Sequence, residues 1–200
     1  MSPFRTHRAT LTLALICWTA TATAQQIRLY FSPNGGTAAA VATELATAKQ
    51  SVFVQTYSIS EPQITAALIA AAGRGVPVRI IVDKHQQNDQ YSSAPKLRAA
   101  GLRVVTDRVE ALQHNKVIII DATTVITGSM NFTASGDTKN AENTLIIHDA
   151  TIAAAFTADW HKHNDHSSVY HVVHHDDFKP KKLPPCLVPP LSPRPRKELR

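Results

Sequence analysis

His114 and Lys116 stand two residues apart at the head of an apolar run, Val117-Ile118-Ile119-Ile120, which closes on Asp121. Gly128-Ser129-Met130-Asn131 follows seven residues later, so the whole pattern is H-x-K-x4-D-x6-G-S-x-N. Side chains alternate along a strand with period two, which puts His114 and Lys116 on one face. That face carries an imidazole, able to act as nucleophile or proton carrier, beside a fixed cation. A tight return through Asp121-Ala122-Thr123-Thr124 leads to a second strand, Val125-Ile126-Thr127, ending at Gly128-Ser129, where small donors can crowd around an anion.

This set of groups suits a phosphodiester. Its anionic oxygens repel nucleophiles and its alkoxide is a poor leaving group. A metal-free solution needs an uncharged nucleophile, a cation on the non-bridging oxygens and an acid for the leaving oxygen. Neutral His114 is the candidate nucleophile, Lys116 can bind the phosphoryl oxygens as a point charge, and Ser129 and Asn131 are placed to add neutral donors. A carboxylate on the far ring nitrogen would fix the tautomer and stabilise the imidazolium. Asp121 lies an odd number of residues from His114 and opens a turn, where Asp is common for its bonds to backbone. It therefore reads as structural, as does Gly128.

The five positions, two spacings and strand–turn–strand context resemble the HKD signature of the phospholipase D superfamily. Lys139-Asn140-Ala141-Glu142-Asn143 resembles the stretch that follows the motif in that family's small bacterial endonucleases, and the likeness spans about residues 27–165. It implies that Glu142 holds the histidine, that catalysis uses no cofactor and no metal, and that a phosphohistidine forms. No second H-x-K-x4-D occurs, and His161-Lys162-His163 lacks the spacing. Single-motif members resemble half of their larger relatives and pair about a twofold axis, which brings the same residue from each chain together. A homodimer with one shared active site, two His114 side chains facing one phosphate, is the expectation. The substrate reading is an endonuclease acting on nucleic acid. A phospholipase D acting on lipid headgroups is the runner-up, and a non-catalytic polyanion-binding module the third.

The elements that must position these residues alternate. Strands are expected at 27–31, 51–57, 76–82, 102–105 and 144–147, and helices at 37–49, 61–74, 95–100 and 151–162, with a polar loop over 83–93. Alternation of strands and helices indicates an α/β fold, a mixed β-sheet flanked by helices, the motif hairpin making it mixed. The family likeness implies an α/β/α sandwich with helices on both faces.

Outside residues 25–168 the composition changes. Arg5, His7 and Arg8 precede a short apolar core and an Ala22-Thr23-Ala24 site, which reads as a secretory signal peptide over 1–24. The run is too short to be a permanent membrane span, and export to the periplasm or beyond is expected, with no transmembrane anchor. Cleavage would leave Cys186 as the sole cysteine, so no internal disulfide is available. Six of the ten histidines lie between His161 and His175, read as a polar helix end and linker, with no metal assigned. From Pro180 onward, seven prolines in sixteen residues exclude a packed helix or central strand, so residues 169–200 read as a disordered tail. The formal net charge of +6 is carried by that tail: residues 178–200 hold seven Lys or Arg against one acid, whereas residues 25–177 hold twelve against fourteen. Nucleic-acid binding thus requires a local basic patch, for which Arg74, Arg79, Lys84, Lys96, Arg98, Arg103 and Arg108 are the material.

Overall fold

A computed structural model describes residues 26–171; the segment expected to be a signal peptide, the proline-rich stretch, His174 and His175 lie outside the described residues. The chain runs β1 (Gln26–Ser32), α1 (Thr37–Thr47), β2 (Val52–Thr56), α2 (Pro62–Gly73), β3 (Val78–Asp83), a 3-10 turn (Lys84–Gln87), α3 (Ala94–Ala99), β4 (Arg103–Asp107), β5 (Lys116–Ile120), β6 (Thr124–Gly128), α4 (Ala134–Thr138), β7 (Glu142–His148), α5 (Ala150–His166) and β8 (Ser168–Val169). One sheet holds all eight strands in the order β1-β7-β6-β5-β2-β3-β4-β8. The β2–β3 and β3–β4 pairs are parallel and the others antiparallel, so the sheet is mixed.

Helices cover both faces. Val54, Ile80, Val104, Ile118, Ile120, Ile126 and Ile146 form the larger core with Val41 and Leu45 of α1, Ile64 and Leu68 of α2 and Leu97 of α3. On the other face Ile81, Val105, Val117, Ile119 and Val125 pack against Ala153 and Trp160 of α5. Trp160 stacks on Phe53 at 4.5 Å, and its indole N–H donates to Val54 O at 2.9 Å, which fixes α5 across the sheet. The result is an α/β/α sandwich. Pro62 opens α2, where a missing N–H costs nothing, and Asp149 caps α5 by accepting from the Thr151 and Ile152 amides at 2.8 and 2.9 Å, a contribution of about 1 kcal/mol.

Some elements were not expected from the sequence. The polar loop over 83–93 contains a 3-10 turn, and His114 precedes β5 instead of lying within it. The stretch expected as a disordered tail from residue 169 begins in order: Val169 pairs with Val105 in β8, and Tyr170 is buried with its hydroxyl donating to Gln86 O at 3.0 Å. Helix α4, with Ser135, Gly136 and Thr138 as weak helix formers, is held by the Thr133 hydroxyl on the Gly136 amide at 3.0 Å. Its Asp137 accepts from the Ala38 amide at 2.9 Å, supplying the cap that Gly36 lacks a side chain to give α1.

Asp121 sits at the opposite end of β5 from His114. It turns the β5–β6 hairpin at φ 52°, followed by Ala122 at φ 53°. Its carboxylate accepts from the Lys49, Gln50 and Ser51 amides at 2.9, 2.7 and 2.9 Å, joining the hairpin to the α1–β2 loop. Burial alone would raise its pKa, but the Ser51, Gln50 and Lys49 amides together hold it below the usual carboxylate value. Asp121→Ala should therefore lower stability at neutral pH by roughly 1–3 kcal/mol, read from the urea midpoint, because three donors lose their acceptor. A depressed folded pKa means this contribution is complete above about pH 4 and is lost as pH falls through the folded value. The gap between variant and wild type should close on acidification; a gap that stays constant to about pH 2 would refute the role of the ionised carboxylate.

Candidate active site

The candidate site forms where four strand ends meet at one edge of the sheet. Lys116, the first residue of β5, pairs with Thr56, the last of β2. Gly128, the last of β6, pairs with Thr144 near the start of β7, and Glu142 begins β7. Each strand contributes its apolar middle to the core and its polar end to this edge.

His114 is exposed and Lys116 is 7% exposed, yet the two meet: Lys116 Nζ lies 2.9 Å from His114 Nδ1 and 3.3 Å from Nε2. The ammonium also donates to His114 O at 2.6 Å. Burial pushes the Lys116 pKa down, and the nearby Glu142 charge partly restores it. The imidazole ring lies against Tyr57, with ring centroids 4.9 Å apart, and Lys116 Nζ is 5.7 Å from the same aromatic ring. The backbone is anchored on either side of His114, by the Gln113 amide, which donates to buried Asp83 at 2.7 Å, and by the Asn115 carbonyl, which accepts from Tyr57 N at 3.0 Å.

The second half of the site is built by alternation. Met130 and Phe132 are buried, which directs Ser129 and Asn131 away from the core between them. The Ser129 hydroxyl donates to Glu142 Oε2 at 2.5 Å and accepts from the Asn143 amide at 3.0 Å. Asn140 Nδ2 donates to the other Glu142 oxygen at 3.1 Å. Asn131 Oδ1 is enclosed with no hydrogen-bond partner among the described residues. Gly128 permits the approach of β6 to β7, because a Cβ there would collide with Asn143 O.

Two points depart from the sequence expectations. Among the described residues no hydrogen bond joins Glu142 to His114 of the same chain, since both of its oxygens are engaged by Ser129 and Asn140. Five of the seven basic residues named as material for a patch are also engaged away from His114 and Lys116: Arg74 donates to the Leu45 and Ala48 carbonyls, Lys84 to Glu110 O, Arg103 to Asn164 and Arg108 to Gln87, and Arg79 lies over Phe53. Tyr57 was missed as a site residue. Its only sequence signal was its place at the end of a strand.

An ammonium held at a depressed pKa destabilises the fold. The penalty is full below the folded pKa and vanishes above the ordinary lysine value near about pH 10.4. Lys116→Met, close in volume and apolar, should abolish catalysis while keeping or raising Tm at neutral pH. The Tm difference from wild type should shrink as pH rises toward about 10. A clear loss of stability at neutral pH would show that Lys116 holds the fold together.

The likeness to known proteins covers this site. The model of the family described as cardiolipin synthase, PLD-like domain, matches residues 41–163. A phospholipase D of Rickettsia bellii is 42% identical over 130 residues, 65% of each chain, so the chain spans about 65% of the length of that curated relative. A mitochondrial cardiolipin hydrolase of Xenopus tropicalis is 32% identical over 115 residues, 58% of this chain and 55% of that one. The crystal structure of Nuc from Salmonella typhimurium, a phospholipase D family member, superposes with a TM-score of 0.70 at 34% identity, covering 74% of this chain and 99% of Nuc. With the matched span running through His114, Lys116, Ser129, Asn131 and Glu142, the chain belongs to the phospholipase D family of phosphodiesterases.

Proposed function

We propose that this protein is an exported, metal-independent phosphodiesterase, acting as a nonspecific endonuclease through a phosphohistidine intermediate. The observation that carries the chemistry is the buried Lys116 ammonium 2.9 Å from the imidazole of exposed His114. An imidazole nitrogen attacks phosphorus, and the departing alkoxide takes a proton from a second acid. Water then attacks phosphorus, giving its proton back to that second group as the P–N bond breaks, which frees the histidine and the phosphate product. Lys116, with the donors at Ser129 and Asn131, stabilises charge on the equatorial oxygens. Nucleic acid as substrate is supported by the single motif, by the 139–143 stretch and by the coverage of nearly the whole Nuc chain.

The second acid is supplied, in this reading, by His114 of a second copy about a twofold axis. An uncovered part of the sheet supports that arrangement. Residues Ile27, Leu29 and Phe31 of edge strand β1 are 49, 53 and 61% exposed. They pair with Ile147, Leu145 and Asn143 of β7, on the face that α5 covers over the central strands. The stripe runs to Ser32, which pairs with Glu142, so an apolar contact between copies there would end at the catalytic edge.

A phospholipid headgroup is the second reading. Val109 and Leu112, 65 and 45% exposed, lie in the segment that leads into His114 and offer apolar contact beside the site. The names of the phospholipase D and cardiolipin hydrolase relatives point the same way.

Purified protein incubated with plasmid DNA, and separately with phosphatidylcholine vesicles, each with excess EDTA, distinguishes the two substrates. DNA nicking that persists in EDTA and disappears in a folded His114→Ala variant is expected. Headgroup release without nicking would select the lipid reading, and turnover by the variant would refute the nucleophile assignment. Co-refolded mixtures of wild type and His114→Ala should lose activity as the square of the wild-type fraction, leaving about a quarter at equal mixing, if each dimer has one site needing both histidines. A linear series would remove the second histidine from the mechanism.

A further inference from the structure

Away from the catalytic edge residues, the C-terminal turn of α5 meets the loop that follows β4. Asp107 ends β4, Glu110 lies three residues on, and His163 and His166 sit one turn apart on a single face of α5. One ligating atom from each of the four residues lies within 4.8 Å of the other three. We propose that these four residues form a zinc site that clamps the end of α5 to the segment leading into His114.

The geometry fits a tetrahedral ion. Zinc bound at about 2.0–2.1 Å to nitrogen and oxygen sets ligand atoms about 3.3 Å apart. His163 Nδ1 is 2.8 Å from Asp107 Oδ2 and 3.6 Å from Glu110 Oε2, and His166 Nε2 is 3.2 and 3.5 Å from the same two oxygens. Each imidazole nitrogen faces both carboxylates, whereas a single N–H can point at only one. Among the described residues, Glu110 Oε2 and His166 Nε2 are both enclosed without a hydrogen-bond partner. The Asp107 side chain is fully buried. The neighbouring cations are spent elsewhere, Lys84 on the Glu110 backbone carbonyl and Arg108 on Gln87, so neither neutralises these carboxylates. A divalent ion would balance the two anions and satisfy both imidazoles at once.

Two imidazoles with two carboxylates select a borderline transition metal over magnesium or calcium, which prefer all-oxygen shells. His163 also carries an outer partner, since Asp159 Oδ2 lies 3.7 Å from its Nε2, the nitrogen left free when Nδ1 binds metal. The site is structural. Asp107 and Lys116 lie on β4 and β5, with β3 and β2 between them, so it stands three strand spacings, about 14 Å, from the catalytic lysine. What it would restrain is the 108–113 segment, with exposed Val109 and Leu112, which delivers His114.

The test uses purified protein stripped with chelator and dialysed, followed by mass-spectrometric metal analysis, thermal melts and a Co²⁺ titration. To silence the other histidines, a His171→Ala/His174→Ala/His175→Ala variant is taken through the same measurements. One zinc per chain is expected in both proteins, with Tm rising by about 5–10 °C at a hundredfold excess over Kd. Co²⁺ should give the intense visible absorption of a tetrahedral site. Glu110→Gln and His166→Ala should lose the bound metal and the Tm rise, and Asp159→Asn should weaken zinc by about tenfold. The proposal is overturned if stripped wild type takes up no zinc, if Glu110→Gln and His166→Ala keep full stoichiometry, or if the triple histidine variant loses it.

Discussion

The structure depends on keeping one ammonium, Lys116, dry beside one imidazole. A charge pair at 4 Å is worth about 1 kcal/mol in water and about 4 kcal/mol at the effective dielectric of a protein site. In the proposed mechanism, burying Lys116 would multiply its grip on a phosphoryl oxygen, at the cost seen in its depressed pKa. What holds it there is the rest of β5. Val117 through Ile120 are buried on both faces of the sheet, Ile118 and Ile120 toward α1 and α2, Val117 and Ile119 toward α5. At roughly 1.5–3 kcal/mol for each fully buried side chain, their gross contribution outweighs the desolvation of one lysine. The strand can start with a cation because it continues as the most apolar stretch of the fold.

The same division recurs in each segment at the catalytic edge. Met130 and Phe132 are fixed in the core, so Ser129 and Asn131 are held without cost to their own freedom. Asp121 secures the far end of the hairpin to the α1–β2 loop, which prevents β5 and β6 from shifting register against β2. A slip by one residue would carry Lys116 to the opposite face and end the chemistry. The turn aspartate of the signature thus bears on the candidate site through strand register, from the other end of the strands.

Helix α5 organises the second face. Trp160 anchors it to β2, and its last turn reaches the loop between β4 and β5 through His163 and His166. The loop is also held from the end of β3, by Lys84 on the Glu110 carbonyl and by Asp83 on the Gln113 amide. His114 is presented at the end of this braced segment, which accounts for an exposed side chain in a defined position. By contrast, the face of β1 beyond α5 is apolar and is covered by no other element among the described residues, and it borders the same edge.

The sequence by itself determined the local parts of this arrangement. The continuous apolar run that follows Lys116 marked β5 as a central strand, and the tight return at Asp121 to Thr124 marked β6 as its hairpin partner. Pro62 and the glycines at 73 and 75 marked the ends of α2. These signals are legible because they rest on neighbours a few residues apart. The hydrogen-bond partners of Glu142, the aromatic wall at Tyr57 and the capping of α1 by Asp137, ninety-nine residues away, were decided only by the tertiary structure. So was the meeting of Asp107 and Glu110 with His163 and His166. In the chain the last two are part of a histidine-rich stretch with no metal-binding spacing of its own, and their carboxylate partners lie more than fifty residues earlier. Such groups are joined by sheet order and helix packing, which depend on the summed burial of the whole core and leave no mark in local spacing.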